Sequence, residues 1–161
     1  MSDIVRNTRE AFDLAIELER YGYDFYTAFA ESIDDDNGKA LMTFLANAEK
    51  EHEEAFTKMR ENAADIEISE SIPSMDPGAV FPVDRVREVD AIEATTQAMD
   101  VEVRTAAFYQ RCSDSVDDVT IKDFFLRLVE EEQSHRVVLE ENLRSLKSGG
   151  TWSGYLPILE G

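Results

Sequence analysis

The chain contains two histidines, and each follows a glutamate by three residues. Glu49 pairs in this way with His52, and Glu132 pairs with His135. Three residues make about one helical turn, so both side chains of a pair lie on nearly the same helix face. The apolar periodicity around each pair predicts that this face is buried. Because an unpaired buried charge is costly, each pair must have a partner in the core.

An internal repeat places a further glutamate opposite each pair. Residues 15–26 align with residues 98–109, which puts Glu19 over Glu102 at an offset of 102 − 19 = 83. The two Glu-x-x-His pairs are related by the same offset, 132 − 49 = 83, and no gap separates the aligned segments. The sequence therefore predicts two helical hairpins related by an approximate twofold axis, each with a lone glutamate on one helix and a Glu-x-x-His pair on the other.

Four carboxylates in one apolar bundle would repel one another unless some stayed protonated. Two divalent cations remove this repulsion, because four negative charges then meet four positive charges. Mixed carboxylate and imidazole ligands suit iron or manganese, and the ligand types also permit zinc. Two lone glutamates and two Glu-x-x-His pairs are the ligand set of di-iron carboxylate bundles. The predicted ligands are Glu19, Glu49, His52, Glu102, Glu132 and His135.

Four amphipathic helices must position these residues in an all-α bundle, which we expect to be a single domain over residues 1–161. The predicted helices cover about 7–32, 35–63 and 118–150, and a third helix begins between 84 and 90 and ends near 113. The bundle itself covers about 8–147. Residues 71–84 hold three of the four prolines and are interpreted as an ordered crossover along the bundle. Residues 148–161 are expected to be irregular, with Trp152 and Tyr155 packed on the outside.

The composition excludes several classes of function. A net charge of −19 argues against nucleic-acid binding and against docking on an anionic membrane. No apolar run is long enough to span a bilayer, so we expect a cytoplasmic protein. A single cysteine, Cys112, excludes a disulfide framework within the chain and a four-thiolate metal site.

Over residues 8–147 the sequence resembles the ferritin-like superfamily, and within it the rubrerythrin-type proteins. The resemblance implies that Glu49 and Glu132 bridge two metal ions. It implies that Glu19 and His52 complete the ligands of one ion, and that Glu102 and His135 complete those of the other. Tyr26 and Tyr109 lie where this family places tyrosines just outside the ligands. The alternative is that both are ordinary core tyrosines.

The chain departs from the rubrerythrin pattern at two points. One cysteine cannot form a rubredoxin domain, so electrons must come from a separate donor protein. Rubrerythrins also carry an extra glutamate, linked to their peroxidase chemistry, where this chain has Thr105. We therefore expect a reaction with both O2 and H2O2, without a strong preference for peroxide. Gly22 aligns with Thr105 in the repeat, and it indicates either close helix packing or a small pocket for the oxidant.

Three functions fit these features. The first is a di-iron redox protein, with two iron ions per chain, that reacts with O2 or H2O2 and forms a homodimer. The second is a ferroxidase or iron-handling protein, and the third is a structural bundle with a non-catalytic metal site. The acidic residues that flank the two pairs are interpreted as solvated: Glu51, Glu53, Glu54, Glu130 and Glu131.

Overall fold

The computed structural model describes residues 3–154, and its main elements are four long helices. A short helix and two short strands complete the described part of the chain. In chain order the elements are β1 (Ile4–Asn7), α1 (Thr8–Ser32), α2 (Asp36–Asn62), β2 (Glu67–Pro73), α3 (Pro77–Val80), α4 (Ala91–Asp114) and α5 (Val119–Gly149). The all-α bundle of two hairpins is thus confirmed, and the ends of the long helices lie close to the predicted ones.

Each hairpin is closed by a short connection, residues 33–35 between α1 and α2 and residues 115–118 between α4 and α5. Connections of this length make the two helices of a hairpin antiparallel neighbours. Each long helix begins at a side-chain cap whose oxygen accepts the backbone N–H three residues further on. The caps are Asn7, Asp35, Asp90 and Asp118. Helix α5 ends at Gly150, whose φ of 71° is the left-handed conformation of a glycine C-cap.

An aromatic layer joins the two hairpins one to two helical turns from the predicted ligands. Phe12 on α1 stacks on Phe125 of α5 with ring centroids 5.5 Å apart. Phe56 on α2 packs against Tyr109, Phe124 and Phe125 of the other hairpin at 5.1–5.9 Å. These rings are almost completely buried, so the layer fixes the distance between the hairpins at this level of the bundle.

The connection between the hairpins runs beside α1 over its whole length, as the crossover interpretation requires. Three contacts mark its course from the start of α1 to its end: Thr8 with Ile66, Phe25 with Phe81, and Glu31 with Arg87. Its first part forms β2, which pairs antiparallel with β1 and places Val5 opposite Ile72. This strand pair was not predicted, because the two segments are far apart in sequence and neither has a long β pattern.

Trp152 covers one end of the first hairpin. Its side chain is buried, its rings lie 5.9 Å from Phe29, and it fills the space beside Gly38. Tyr155, which was also predicted to pack on the outside of the bundle, lies outside the described residues. Among residues 3–154, every helix is too short or too polar to cross a membrane.

Candidate metal centre

Six side chains from the four long helices meet in the middle of the bundle, and we call them the core cluster. Each is at most 7% exposed. Helix α1 supplies Glu19, α2 supplies Glu49 and His52, α4 supplies Glu102, and α5 supplies Glu132 and His135. The structure therefore brings all of the predicted ligands together in one buried place.

The core cluster divides into two groups of four that share two members. Glu19, Glu49, His52 and Glu132 form one group, in which one ligand atom from each residue lies within 4.8 Å of the others. Glu49, Glu102, Glu132 and His135 form the second group by the same measure. The shared residues are Glu49 and Glu132. The two imidazole rings lie nearly parallel, with centroids 5.9 Å apart.

The donor atoms of the core cluster are poorly satisfied by protein groups. Within residues 3–154, six buried side-chain nitrogen or oxygen atoms lack a hydrogen-bond partner, and five of them belong to this cluster. They are Glu19 Oε2, His52 Nδ1, Glu102 Oε2, Glu132 Oε1 and His135 Nδ1. Buried polar atoms without partners are rare and costly. Oxygen and imidazole nitrogen atoms aimed at a common centre are the donors that two divalent metal ions require, so these residues fit such a pair.

Two tyrosines bond the hairpins to each other through the core cluster. Tyr26 Oη on α1 donates to Glu102 Oε1 on α4 at 2.6 Å, and Tyr109 Oη on α4 donates to Glu19 Oε1 on α1 at 2.5 Å. Burial, followed by the negative charge of Glu102, raises the pKa of Tyr26 well above its usual value. Burial and the charge of Glu19 do the same to the pKa of Tyr109. Both hydroxyls therefore keep their protons and remain donors.

In the metal-free site, protons reduce the repulsion among the carboxylates. Burial raises the pKa of Glu49 and of Glu132 well above the usual range, and the neighbouring carboxylates add to the effect. Burial alone would lower the pKa of His52, but the carboxylates of Glu131, Glu132 and Glu19 outweigh it and raise that pKa. Burial opposes ionisation of Glu102 as well, yet its close neighbours Glu132, His135 and Tyr26 lower its pKa. The cluster thus holds protons where a metal ion would supply positive charge.

Gly22 and Thr105 occupy equivalent positions in the repeat, but each lies beside a different shared carboxylate. Gly22 lies beside Glu49 and Thr105 lies beside Glu132. A Cβ at Gly22 would lie 2.6 Å from Glu49 Oε2, so the glycine makes room for that carboxylate. The close-packing interpretation of Gly22 therefore fits, and the space is filled by Glu49. Thr105 Oγ1 donates to the Val101 carbonyl oxygen at 3.0 Å and lies 3.5 Å from Glu132 Oε2. It places a neutral hydroxyl beside the second shared carboxylate.

The interpretation of Glu131 as a solvated residue on another face was wrong. Its side chain is 48% exposed, but its Oε2 lies 2.5 Å from His52 Nε2, across the bundle. Glu53 also has a partner, since it pairs with Arg20 at 2.7 Å. The remaining flanking acids, Glu51, Glu54 and Glu130, are exposed as expected. A break in the repeat was the one available signal, because the position equivalent to Glu131 is Ala48 (131 − 83 = 48).

A surface groove lies between α4 and α5, beside the core cluster. It has a volume of about 300 Å³, and Glu102 is the cluster residue that lines it. Its walls are formed mainly by Val103, Ala106, Ala107, Val129, Gln133 and Arg136. The exposed wall of the groove is mostly apolar, and one of its lining residues is a candidate ligand.

Comparisons with known proteins agree with this architecture. The family model described as Rubrerythrin matches residues 10–147. A search of curated proteins finds no match. Among solved structures, tm1526 from Thermotoga maritima, described as a ferritin-like diiron-carboxylate protein, superposes with a TM-score of 0.70 at 20% identity, covering 94% of this chain and 100% of that one. A hypothetical protein from Pyrococcus furiosus superposes with a TM-score of 0.66 at 22% identity, covering 87% of this chain and 90% of that one.

Proposed function

Because the chain belongs to the rubrerythrin family, we propose that its core cluster binds two iron ions and reduces O2 or H2O2. The observation that carries this proposal is the sharing of Glu49 and Glu132 between two four-residue groups of ligand atoms. A carboxylate has two oxygens, so a shared glutamate can bind both ions at once. Glu19 and His52 would then complete the ligands of one ion, and Glu102 and His135 would complete those of the other.

Charge balance supports the same assignment. The four glutamates of the core cluster carry four negative charges when ionised, and two ferrous ions match them. The protons that the metal-free cluster holds on Glu49, Glu132 and His52 leave when metal binds. Two ferrous ions held by these residues would supply the two electrons that, with two protons from solvent, reduce one molecule of O2 to H2O2 or one molecule of H2O2 to two molecules of water.

The residues around the cluster keep the ligands in place. Tyr26 and Tyr109 each donate a hydrogen bond to one oxygen of a terminal carboxylate, which leaves the other oxygen of Glu102 and of Glu19 free for metal. The aromatic layer below the site excludes water from that side. The groove between α4 and α5 is the proposed entrance for the oxidant, because its wall is mostly apolar and Glu102 is among its lining residues.

Repeated turnover requires a separate electron donor. The single cysteine of the chain, Cys112, is buried, and it cannot build a second iron site. We therefore propose that a partner protein returns two electrons to the cluster after each reaction.

Anaerobic loading with Fe(II), followed by elemental analysis and optical spectra on mixing with oxidant, tests the proposal. We expect two iron ions per chain and a spectral change with either oxidant. Glu49→Ala should abolish binding of both ions, whereas His52→Ala should weaken mainly one. Glu51→Ala is the matched control, because Glu51 lies on the exposed face of the same helix. A stoichiometry below two in the wild type, or the clean loss of a single ion in Glu49→Ala, would overturn the shared-ligand assignment.

A further inference from the structure

The two histidines of the core cluster are held differently, although the repeat makes them equivalent. His52 directs Nδ1 toward the cluster, where it lies 3.0 Å from Glu132 Oε1 at angles that form no hydrogen bond. It directs Nε2 toward Glu131 Oε2 at 2.5 Å. His135 also directs Nδ1 toward the cluster, 3.8 Å from Glu102 Oε1. Position 48, where a counterpart of Glu131 would lie, is alanine, and His135 instead packs edge-to-face against Phe44 with ring centroids 6.0 Å apart.

This difference bears directly on metal binding. An imidazole that binds metal through Nδ1 must carry its proton on Nε2. Glu131 is placed to accept that proton in a hydrogen bond, which selects the metal-binding tautomer of His52 and restrains the rotation of its ring. A carboxylate in this position also makes the imidazole a stronger ligand.

We propose that Glu131 is a positioning residue that makes the two metal positions unequal, so that the ion bound by Glu19 and His52 is held more tightly. The inference rests on the proposed two-metal function. It concerns the order and affinity of binding, which the shared glutamates alone do not determine. The two groups have equivalent ligands, so without Glu131 the repeat predicts similar affinities.

The partial exposure of Glu131 makes the test practical. A half-exposed glutamate can be replaced without opening a cavity in the core, so the variants should fold. Glu131→Ala removes the acceptor, and Glu131→Gln keeps an acceptor but removes its charge. Glu130→Ala is the matched control, because Glu130 is the exposed neighbour on the same helix. Ala48→Glu offers the reciprocal change, since it introduces a carboxylate at the position equivalent to Glu131.

Anaerobic titration of the metal-free protein with Co(II), followed by its visible absorption bands, measures both affinities. We expect two resolved steps in the wild type. Glu131→Ala should weaken the tighter step by about 10- to 100-fold and leave the other step unchanged, because partners of metal-bound histidines have effects of this size. Glu131→Gln should recover part of the loss, Glu130→Ala should match the wild type, and Ala48→Glu should strengthen the weaker step.

A double variant separates positioning from a general structural effect. If Glu131 acts through His52, Glu131→Ala should have no further effect on Co(II) binding in the His52→Ala background. An equal loss in both backgrounds would overturn the proposal, as would two Co(II) ions that bind to the wild type and to Glu131→Ala with the same affinities. Binding of fewer than two ions by the wild type would instead refute the proposed function.

Discussion

Tyr26 and Glu102 lie on different hairpins, and the tyrosine hydroxyl donates to the carboxylate at 2.6 Å in the buried centre of the bundle. Because this bond crosses between hairpins, it stabilises their docking as well as the ligand. Tyr26→Phe should lower the free energy of unfolding by about 1.5–3 kcal/mol, since a hydrogen bond to a charged group is lost and a buried acceptor is left unpaired. Chemical denaturation of the metal-free protein measures this.

The control for that experiment is Tyr23→Phe. The Tyr23 ring is only partly buried and lies under the Lys50 ammonium group, and phenylalanine keeps the ring in place. This change should cost less than about 0.5 kcal/mol, as is usual for surface substitutions. Similar losses of stability in the two variants would show that the hydrogen bond from Tyr26 to Glu102 makes no specific contribution to the free energy of unfolding.

Removal of metal should reverse the response of stability to mild acid. In the unfolded chain Glu49 and Glu132 ionise near pH ~4.3, whereas the folded metal-free site keeps their protons to higher pH because burial raises each pKa. Between those pH values the folded state binds more protons than the unfolded state, so its stability falls as pH rises. The raised pKa of His52 acts in the same direction. The metal-free protein should therefore be more stable at about pH 5.5 than at about pH 7.5.

The metal-loaded protein should behave in the opposite way, because protons compete with metal for the same ligands. Thermal unfolding of both forms at the two pH values measures the difference. The high net negative charge also favours mild acid, so Glu49→Gln and the exposed Glu51→Gln should be compared in the metal-free state. Glu49→Gln should reduce the pH dependence more strongly. Equal pH dependence in the metal-free and metal-loaded proteins would contradict burial of these acids in one cluster.

Gly22→Ala should separate stability from metal binding. Alanine favours a helix by about 1 kcal/mol over glycine, but its Cβ would lie 2.6 Å from Glu49 Oε2 and force that carboxylate to turn. We expect the metal-free variant to be as stable as the wild type or slightly more so, with weaker binding of both ions. Unfolding curves and metal titration measure the two effects.

Gly149→Ala is the control for the glycine substitution, because its added methyl meets Thr151 Oγ1 at a comfortable 3.8 Å. It should leave metal binding unchanged. If Gly22→Ala also binds both ions with wild-type affinity, the Glu49 carboxylate can adapt, and the glycine has no role in placing it.

Thr105→Glu should shift the oxidant preference toward H2O2. Thr105 is buried beside Glu132, and its replacement adds a fifth carboxylate that favours the more positive, oxidised metal pair. The wild type should react with both oxidants. Stopped-flow mixing of the reduced, loaded protein with O2 and with H2O2 gives the two rates. Thr105→Gln controls for size without charge and should keep the wild-type preference.

The prediction for Thr105→Glu depends on the negative charge that the glutamate adds, and two results would contradict it. A wild type that already reacts far faster with H2O2, combined with no change in Thr105→Glu, would show that position 105 does not set the preference. Equal shifts in the glutamate and glutamine variants would assign the effect to size.

The sequence carried enough information to predict the bundle and to select the six residues of the core cluster, because both follow from helical periodicity and a constant offset. Glu131 was missed for a physical reason. It lies on a half-exposed face, where periodicity predicts solvation, and its contact with His52 depends on how the two hairpins dock. The pairing of Val5 with Ile72 was missed similarly, since it joins distant segments through backbone hydrogen bonds that leave little trace in the side-chain pattern.

The crossed tyrosine bonds have a consequence for the origin of such a chain. Tyr26 and Tyr109 are equivalent in the repeat, as are Glu19 and Glu102, so the two bonds are one contact repeated by the twofold axis. Two copies of a single hairpin, associating symmetrically, would form both bonds and the full set of ligands. A gene that duplicated and fused such a hairpin would inherit a complete site at once. The two halves would then be free to diverge, as glycine and threonine have at positions 22 and 105, and alanine and glutamate at positions 48 and 131.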